Sequence, residues 1–87
     1  MKSFRVQIIT PEITLYDESA SSLSVPGTEG RMVVMHSHEE MIVSLKPGKV
    51  RVTDDAGKHT EYNLSGMGTL DISSTTSIIF ANKINPL

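Results

Sequence analysis

Two histidines and two carboxylates fall within five consecutive positions, in the stretch HSHEE from His36 to Glu40. On a β-strand, His36 and His38 would point to the same side, about 6–7 Å apart. Together with Glu39 they could bind Zn²⁺. The stretch lacks the helical H-E-x-x-H spacing of zinc proteases, and His59 is distant in the chain. Two hypotheses stay open: a metal or small-ligand site at His36, His38 and Glu39, and a solvated polar loop.

No other pattern in the sequence predicts catalysis. The serines could be combined with His38 or His59 into a triad, but no G-x-S-x-G elbow is present. The PGTEG stretch lacks the G-K-[ST] ending of a phosphate-binding loop. The adjacent acids Asp54 and Asp55 are typical of a solvated turn. These patterns therefore predict no catalytic residue, no cofactor site and no catalytic metal site, and a small hydrolase stays only as a weak third hypothesis.

Three of the five methionines, Met32, Met35 and Met41, flank the histidine-rich stretch. Methionine is flexible and polarisable, so it fills irregular gaps in a core and also serves adaptable contact surfaces. The sequence leaves both interpretations open.

Composition bounds the fold and the partners. The chain has 87 residues, so we expect one domain over residues 1–87 with one thin core. The net charge of −2 argues against nucleic acid, which favours a basic patch. The absence of cysteine excludes disulfides and thiolate sites. No apolar run is long enough to insert into or span a bilayer, and the N-terminus does not resemble a signal peptide.

The elements that must position these residues are predicted to be strands. Apolar and polar residues alternate with period two in FRVQII, GKVRVT, EYNLS and TLDIS, and TSIIFAN is typical of a more buried strand. Proline- and glycine-containing turns separate these runs. No confident helix is predicted, although HEEM could form one helical turn. The pattern favours a small antiparallel sandwich or barrel.

The residues around the histidines carry a family resemblance. The run VPGTEGRMVVMHSHEEMIVSLKPGKVRV, residues 25–52, resembles the epsilon subunit of F-type ATP synthases, in which VPGTEG, a histidine and LKPG recur with similar spacing. IITPEITLYD and EYNLSGMGTLDIS are also similar to that family, so the resemblance covers nearly the whole chain in order.

The resemblance implies an all-β fold, a ten-stranded antiparallel β-sandwich. It also implies a non-catalytic subunit of the central stalk, the rotor, which binds the gamma subunit and the ring of c subunits and couples proton transport to ATP synthesis. Such a subunit is peripheral to the membrane, on the cytoplasmic face of the bacterial inner membrane. In the family, the end of the sandwich that carries the histidine loop faces these partners.

Specific partner-binding residues follow from the resemblance. His38, Met41, Ile42 and Val43 match the segment that faces gamma, and Glu29, Gly30 and Arg31 match the turn that approaches the c ring. Strand alternation places Met41 and Val43 on one face and Ile42 on the other. If Met41 and Val43 both contact gamma, Ile42 is expected to face the core.

The sequence departs from the family in three places. Arg31 replaces an acid, which reverses the charge at a ring-facing position. His36–Ser37 and Glu39–Glu40 replace proline-containing pairs around His38, which makes the loop less preorganised. Family members usually continue into two C-terminal helices with a regulatory role. The sequence ends at Leu87, about where those helices would begin, so we expect no such role for these residues.

Overall fold

The computed structural model describes residues 3–36 and 39–87, and within them every regular element is a β-strand. The strands are β1 (Phe4–Ile9), β2 (Thr14–Ala20), β3 (Ser22–Gly27), β4 (Gly30–Val34), β5 (Met41–Leu45), β6 (Gly48–Thr53), β7 (His59–Leu64), β8 (Gly68–Ile72), β9 (Thr76–Ala81) and β10 (Ile84–Pro86). No helix among the described residues is long and apolar enough to cross a bilayer.

The ten strands form one curled sheet that folds into two layers of five. The first layer has the strand order β4-β3-β6-β7-β10, and the second has the order β5-β8-β9-β1-β2. The layers are joined where Gly27 of β3 pairs with Leu45 of β5.

One part of the fold prediction is wrong. The sheet is mixed, because β1 and β9 run parallel, whereas the other ladders of the described chain are antiparallel. Alternation along a strand reports which side is buried but carries no information about the direction of its neighbour. A parallel pair needs a long crossover connection, and here β1 and β9 lie almost at opposite ends of the sequence.

The core lies between the layers and is built by alternation. In β6 the buried residues Val50 and Val52 alternate with the exposed Lys49 and Arg51. The remaining strands contribute mostly aliphatic side chains in the same way, and the largest of these that are fully buried are Ile8, Leu23, Leu45, Leu64, Leu70, Ile72 and Ile79. Each layer therefore has one inner face and one solvated outer face.

Candidate docking surface

The turn between β3 and β4 is shaped by glycine. Gly27 and Gly30 pair across it and enclose only Thr28 and Glu29. Gly30 has φ of 131°, a conformation that favours glycine, and a Cβ on Gly27 would lie 2.7 Å from the carbonyl oxygen of Gly30. The VPGTEG motif is thus needed to make a tight hairpin that projects Glu29 into solvent.

Backbone hydrogen bonds tie this hairpin to β5. The Thr28 amide donates to the Ser44 carbonyl oxygen, and the Lys46 amide donates to the Pro26 carbonyl oxygen, each at 2.9 Å. These bonds hold only the C-terminal end of β5. Towards Met41, β5 pairs with β8 alone, and no ladder joins it to β4.

A recess of about 480 Å³ therefore opens between the β3–β4 hairpin and β5. We call this region the open edge, and its lining is Gly27, Thr28, Glu29, Gly30, Met32, Met41, Ile42, Val43 and Ser44. Its apolar side chains are only partly covered, since Met41 is 41 % exposed and Ile42 is 73 % exposed. Five of the seven residues predicted to bind partners lie here.

The predicted faces of β5 are partly corrected. Alternation holds, with Met41 and Val43 on one side and Ile42 on the other. However, Val43 packs against the core, and Ile42 lies on the outer face, opposite Asp71 of β8 in the register. The expectation that Ile42 faces the core is therefore wrong. Both faces of β5 are apolar near Met41, so the pattern could not identify the inner one.

The predicted contact residues do not gather at one end of the sandwich. The Glu29–Gly30 turn lies at the end where β3 and β5 finish, and β4 then runs to the opposite end, where His36 is exposed. The longest dimension of the domain is 33 Å. The contact set therefore extends along one lateral edge rather than over one end. His38 and Ser37 lie outside the described residues.

Arg31 is the predicted contact residue that points elsewhere. Its guanidinium donates hydrogen bonds of 2.7 Å to Ser24 Oγ and to the Lys49 carbonyl oxygen. These partners belong to β3 and β6, so the Arg31 side chain lies along the outer face of the first layer and does not line the recess.

The histidine-rich stretch is not a continuous strand. β4 ends at Val34, and His36 and Glu39 are exposed residues of the connection to β5. The geometry assumed for a strand-borne metal site is therefore absent at His36. The proposed ligand His38 is outside the described residues, and the residues that are described contain no cluster of three ligand-type side chains suited to a metal.

Met32 is a residue of the recess that the predicted contact set does not include. It is half-buried, packs against the core and lines the recess between the layers. It was noted only as one of three clustered methionines, with core and contact interpretations both open. The signal was its position two residues before the buried Val34, since this spacing places both side chains on the inner face of an edge strand.

The perturbed carboxylates lie on the outer faces, away from the recess. A hydrogen bond from Arg5 lowers the pKa of Asp17, and one from Arg51 lowers the pKa of Glu61. The Arg5 Nε to Asp17 Oδ1 distance is 2.7 Å, and the Arg51 Nε to Glu61 Oε2 distance is 2.9 Å. Both are surface ion pairs between neighbouring strands.

Comparisons of the sequence with a family model and with known proteins agree on one family. The family model described as "ATP synthase, Delta/Epsilon chain, beta-sandwich domain" matches residues 3–86. The chain is similar to the ATP synthase epsilon chains of Rhizobium etli, with 34 % identity over 98 % of this chain, and of Rhizobium meliloti, with 38 % identity over 94 %. It spans 62 % and 60 % of the lengths of those two relatives.

Solved structures support the fold. A chain in the cryo-EM structure of the Euglena gracilis mitochondrial ATP synthase, OSCP/F1/c-ring, superposes with a TM-score of 0.89 and 21 % identity. The match covers 97 % of this chain and 53 % of that one. A chain of the Tetrahymena thermophila mitochondrial ATP synthase central stalk and c ring gives a TM-score of 0.74 over 95 % of this chain and 66 % of that one. With the family model matching nearly every residue, the chain belongs to the family of β-sandwich domains of ATP synthase delta/epsilon chains.

Proposed function

We propose that this chain acts as the β-sandwich part of a non-catalytic rotor subunit in the central stalk of an F-type ATP synthase. In this role it binds the gamma subunit and the c-subunit ring, and it helps to couple proton transport to ATP synthesis. The observation that carries the proposal is the family match over residues 3–86. The two structural neighbours, which belong to ATP synthase assemblies with a c ring, are consistent with it.

The open edge is the proposed contact surface for gamma. Its partly exposed apolar side chains, Met41, Ile42 and Val43, offer a hydrophobic centre, and fully desolvated apolar anchors carry most binding energy in protein interfaces. His38 is proposed as a further gamma contact from the sequence resemblance alone. Glu29, Gly30 and Arg31 are proposed to approach the c ring from the hairpin at one end of that edge.

The remaining parts of the proposal concern organisation and location. Residues 1–87 are proposed to act as one domain without a cofactor. The protein is proposed to be peripheral to the membrane through the complex, on the cytoplasmic face of a bacterial inner membrane. The bacterial relatives in Rhizobium and in Latilactobacillus sakei, the latter 35 % identical over 93 % of this chain, support a bacterial setting.

Binding to gamma tests the proposal directly. The chain is co-expressed with an affinity-tagged gamma subunit from the same organism, and the complex is analysed by size-exclusion chromatography. We expect co-elution at equal stoichiometry, and no ATP hydrolysis by the isolated chain. The rotor function would be contradicted if the chain bound neither gamma nor the isolated c ring. Hydrolysis that follows the chain through successive purification steps would contradict the non-catalytic part.

A further inference from the structure

Cations are concentrated on the outer face of the first layer. Arg31 on β4 and Lys49 and Arg51 on β6 all project from this face, because each alternates with core residues. Glu61 on β7 contacts the two cations of β6, at 3.7 Å from Lys49 Nζ and 2.7 Å from Arg51. Three cations against one anion give this face a positive charge in a chain whose net charge is −2.

The outer face of the second layer differs in sign. There Arg5 is neutralised by Asp17, and Asp71 on β8 adds a further negative charge. Charge is therefore segregated between the two faces of the sandwich, and such a separation orients charged partners as they approach.

Among the three cations of this face, Arg31 is the one that forms no ion pair with a carboxylate of the described residues. None of the carboxylates in the described residues lies within ion-pair distance of it, and every acidic residue of the chain is described. Its guanidinium is nevertheless held in place by Ser24 Oγ and the Lys49 carbonyl oxygen, each at 2.7 Å. A guanidinium has five N–H donors, so these two bonds leave three available for a ligand.

We infer that this cationic face, formed by Arg31, Lys49 and Arg51, docks an acidic segment of a protein partner, with Arg31 contacting a carboxylate of that segment. A guanidinium fixed by two hydrogen bonds loses little entropy when it binds, and its planar fork matches a carboxylate. The exposed Val33, two residues along the same face of β4, provides an apolar contact beside the charge.

The composition of the face favours a protein partner over other anionic surfaces. An anionic membrane attracts long runs of basic residues, whereas this patch is short and includes Glu61. Nucleic-acid surfaces commonly add aromatic side chains for base stacking, and the outer strand positions around Arg31 that the structure describes are polar or aliphatic. The inference does not depend on the proposed rotor function, since it follows from the charges of this chain alone.

A peptide titration followed by NMR tests the inference. The ¹⁵N-labelled chain is titrated with an acetylated, amidated peptide of alternating serine and glutamate, and with a matched peptide that has glutamine in place of glutamate. We expect the glutamate peptide to shift the amide signals around Ser24, Arg31 and Lys49, with weaker shifts at high salt. The glutamine peptide should leave these signals unchanged.

Two matched variants locate the binding residue. Arg31→Gln and Arg5→Gln each remove one positive charge from an exposed strand position, on opposite faces of the domain. Arg31→Gln should weaken peptide binding about three- to fivefold, whereas Arg5→Gln should change it less than about twofold. A well-dispersed spectrum identifies each variant as folded. If Arg31→Gln fails this criterion, Arg31→Lys replaces it, and the loss of the fork geometry should then weaken binding by about twofold.

Three results would overturn the inference. The first is the absence of any shift with the glutamate peptide. The second is an equal effect of the variants at Arg31 and Arg5, which would indicate attraction by net charge. The third is equal perturbation of the Arg31 face by vesicles containing one quarter phosphatidylglycerol, which would identify the face as a membrane contact.

Discussion

The two lateral edges of the sandwich differ in how completely the layers are joined. At the edge where β2 and β10 end their layers, Tyr16 of β2 meets Tyr62 of β7, the strand next to β10, with ring centroids 6.5 Å apart and nearly perpendicular planes. Ser19 Oγ donates a 2.8 Å hydrogen bond to Asp55 Oδ2 across the layers. We call this the closed edge. At the open edge, no hydrogen bond of the described chain joins β4 to β5, and methionine and aliphatic side chains line the recess.

The contrast shows where the chain completes its own core and where it leaves apolar surface uncovered. An edge-to-face aromatic pair contributes about 0.5–1.5 kcal/mol beyond the area it buries. The open edge has no comparable contact, and flexible methionines at such a position can adapt to another surface. We therefore expect the closed edge to determine the stability of the domain and the open edge to determine its binding.

Truncation at the closed edge should have the largest effect on stability. Tyr62 is 4 % exposed and packs on Tyr16, so Tyr62→Ala should lower the free energy of unfolding by about 3–4 kcal/mol, as measured by urea denaturation. Tyr62→Phe keeps the ring and should lose less than about 1 kcal/mol. A loss below about 1 kcal/mol for the alanine variant would show that the aromatic pair does not seal this edge.

A charge at the open edge should act on binding instead. Ile42→Lys places a cation on the outer face of β5 opposite Asp71, so the fold is expected to change in stability by less than about 0.5 kcal/mol. Burial of that charge against gamma should weaken binding by about 2 kcal/mol, measured by calorimetry. Asp55→Ala, in the turn at the closed edge, is the control and should bind normally. Equal binding by Ile42→Lys would exclude Ile42 from the interface.

Val43 should have an intermediate effect, because it lies between the core and the recess. Val43→Ala removes two methyl groups from a partly buried position, so we expect the free energy of unfolding to fall by about 1 kcal/mol. Binding to gamma should fall by a similar amount. Measuring both quantities on the same variant distinguishes the roles: a stability loss without a binding loss would assign Val43 to the core alone.

Much of the fold could be predicted from the sequence, because half-buried strands have a local signal. The alternation in FRVQII and GKVRVT predicted β1 and β6 with their observed bounds. The parallel pairing of β1 with β9 could not be predicted from alternation, because pairing joins segments that are far apart in the chain.

The residues that line the candidate site could be predicted better than the directions in which their side chains point. The family resemblance selected Glu29, Gly30 and the first residues of β5, and the structure places these around one recess. Which face of β5 is buried could not be read from MIVSL, in which both faces begin with apolar residues. The direction of Arg31 depends on Ser24 and Lys49, which are neighbours only after folding.

Lowering the pH should have the smallest effect on stability, and this effect should not depend on either edge, because the ion pairs involved lie on the outer faces. The pKa values of Asp17 and Glu61 are lowered from 3.8 and 4.5 by hydrogen bonds from Arg5 and Arg51 on the outer faces. A lowered folded pKa means that the unfolded chain takes up protons first as the pH falls. The stabilisation is therefore complete above about pH 5 and is lost as the pH drops through the folded pKa values. Because both pairs lie on the outer faces, where solvent screens them, Tm should fall only slightly between pH 5 and pH 3 as a result of these pairs. The combined variant Asp17→Asn and Glu61→Gln should show a flatter dependence of Tm on pH, measured by circular dichroism. If both proteins lose Tm equally, other carboxylates control acid stability.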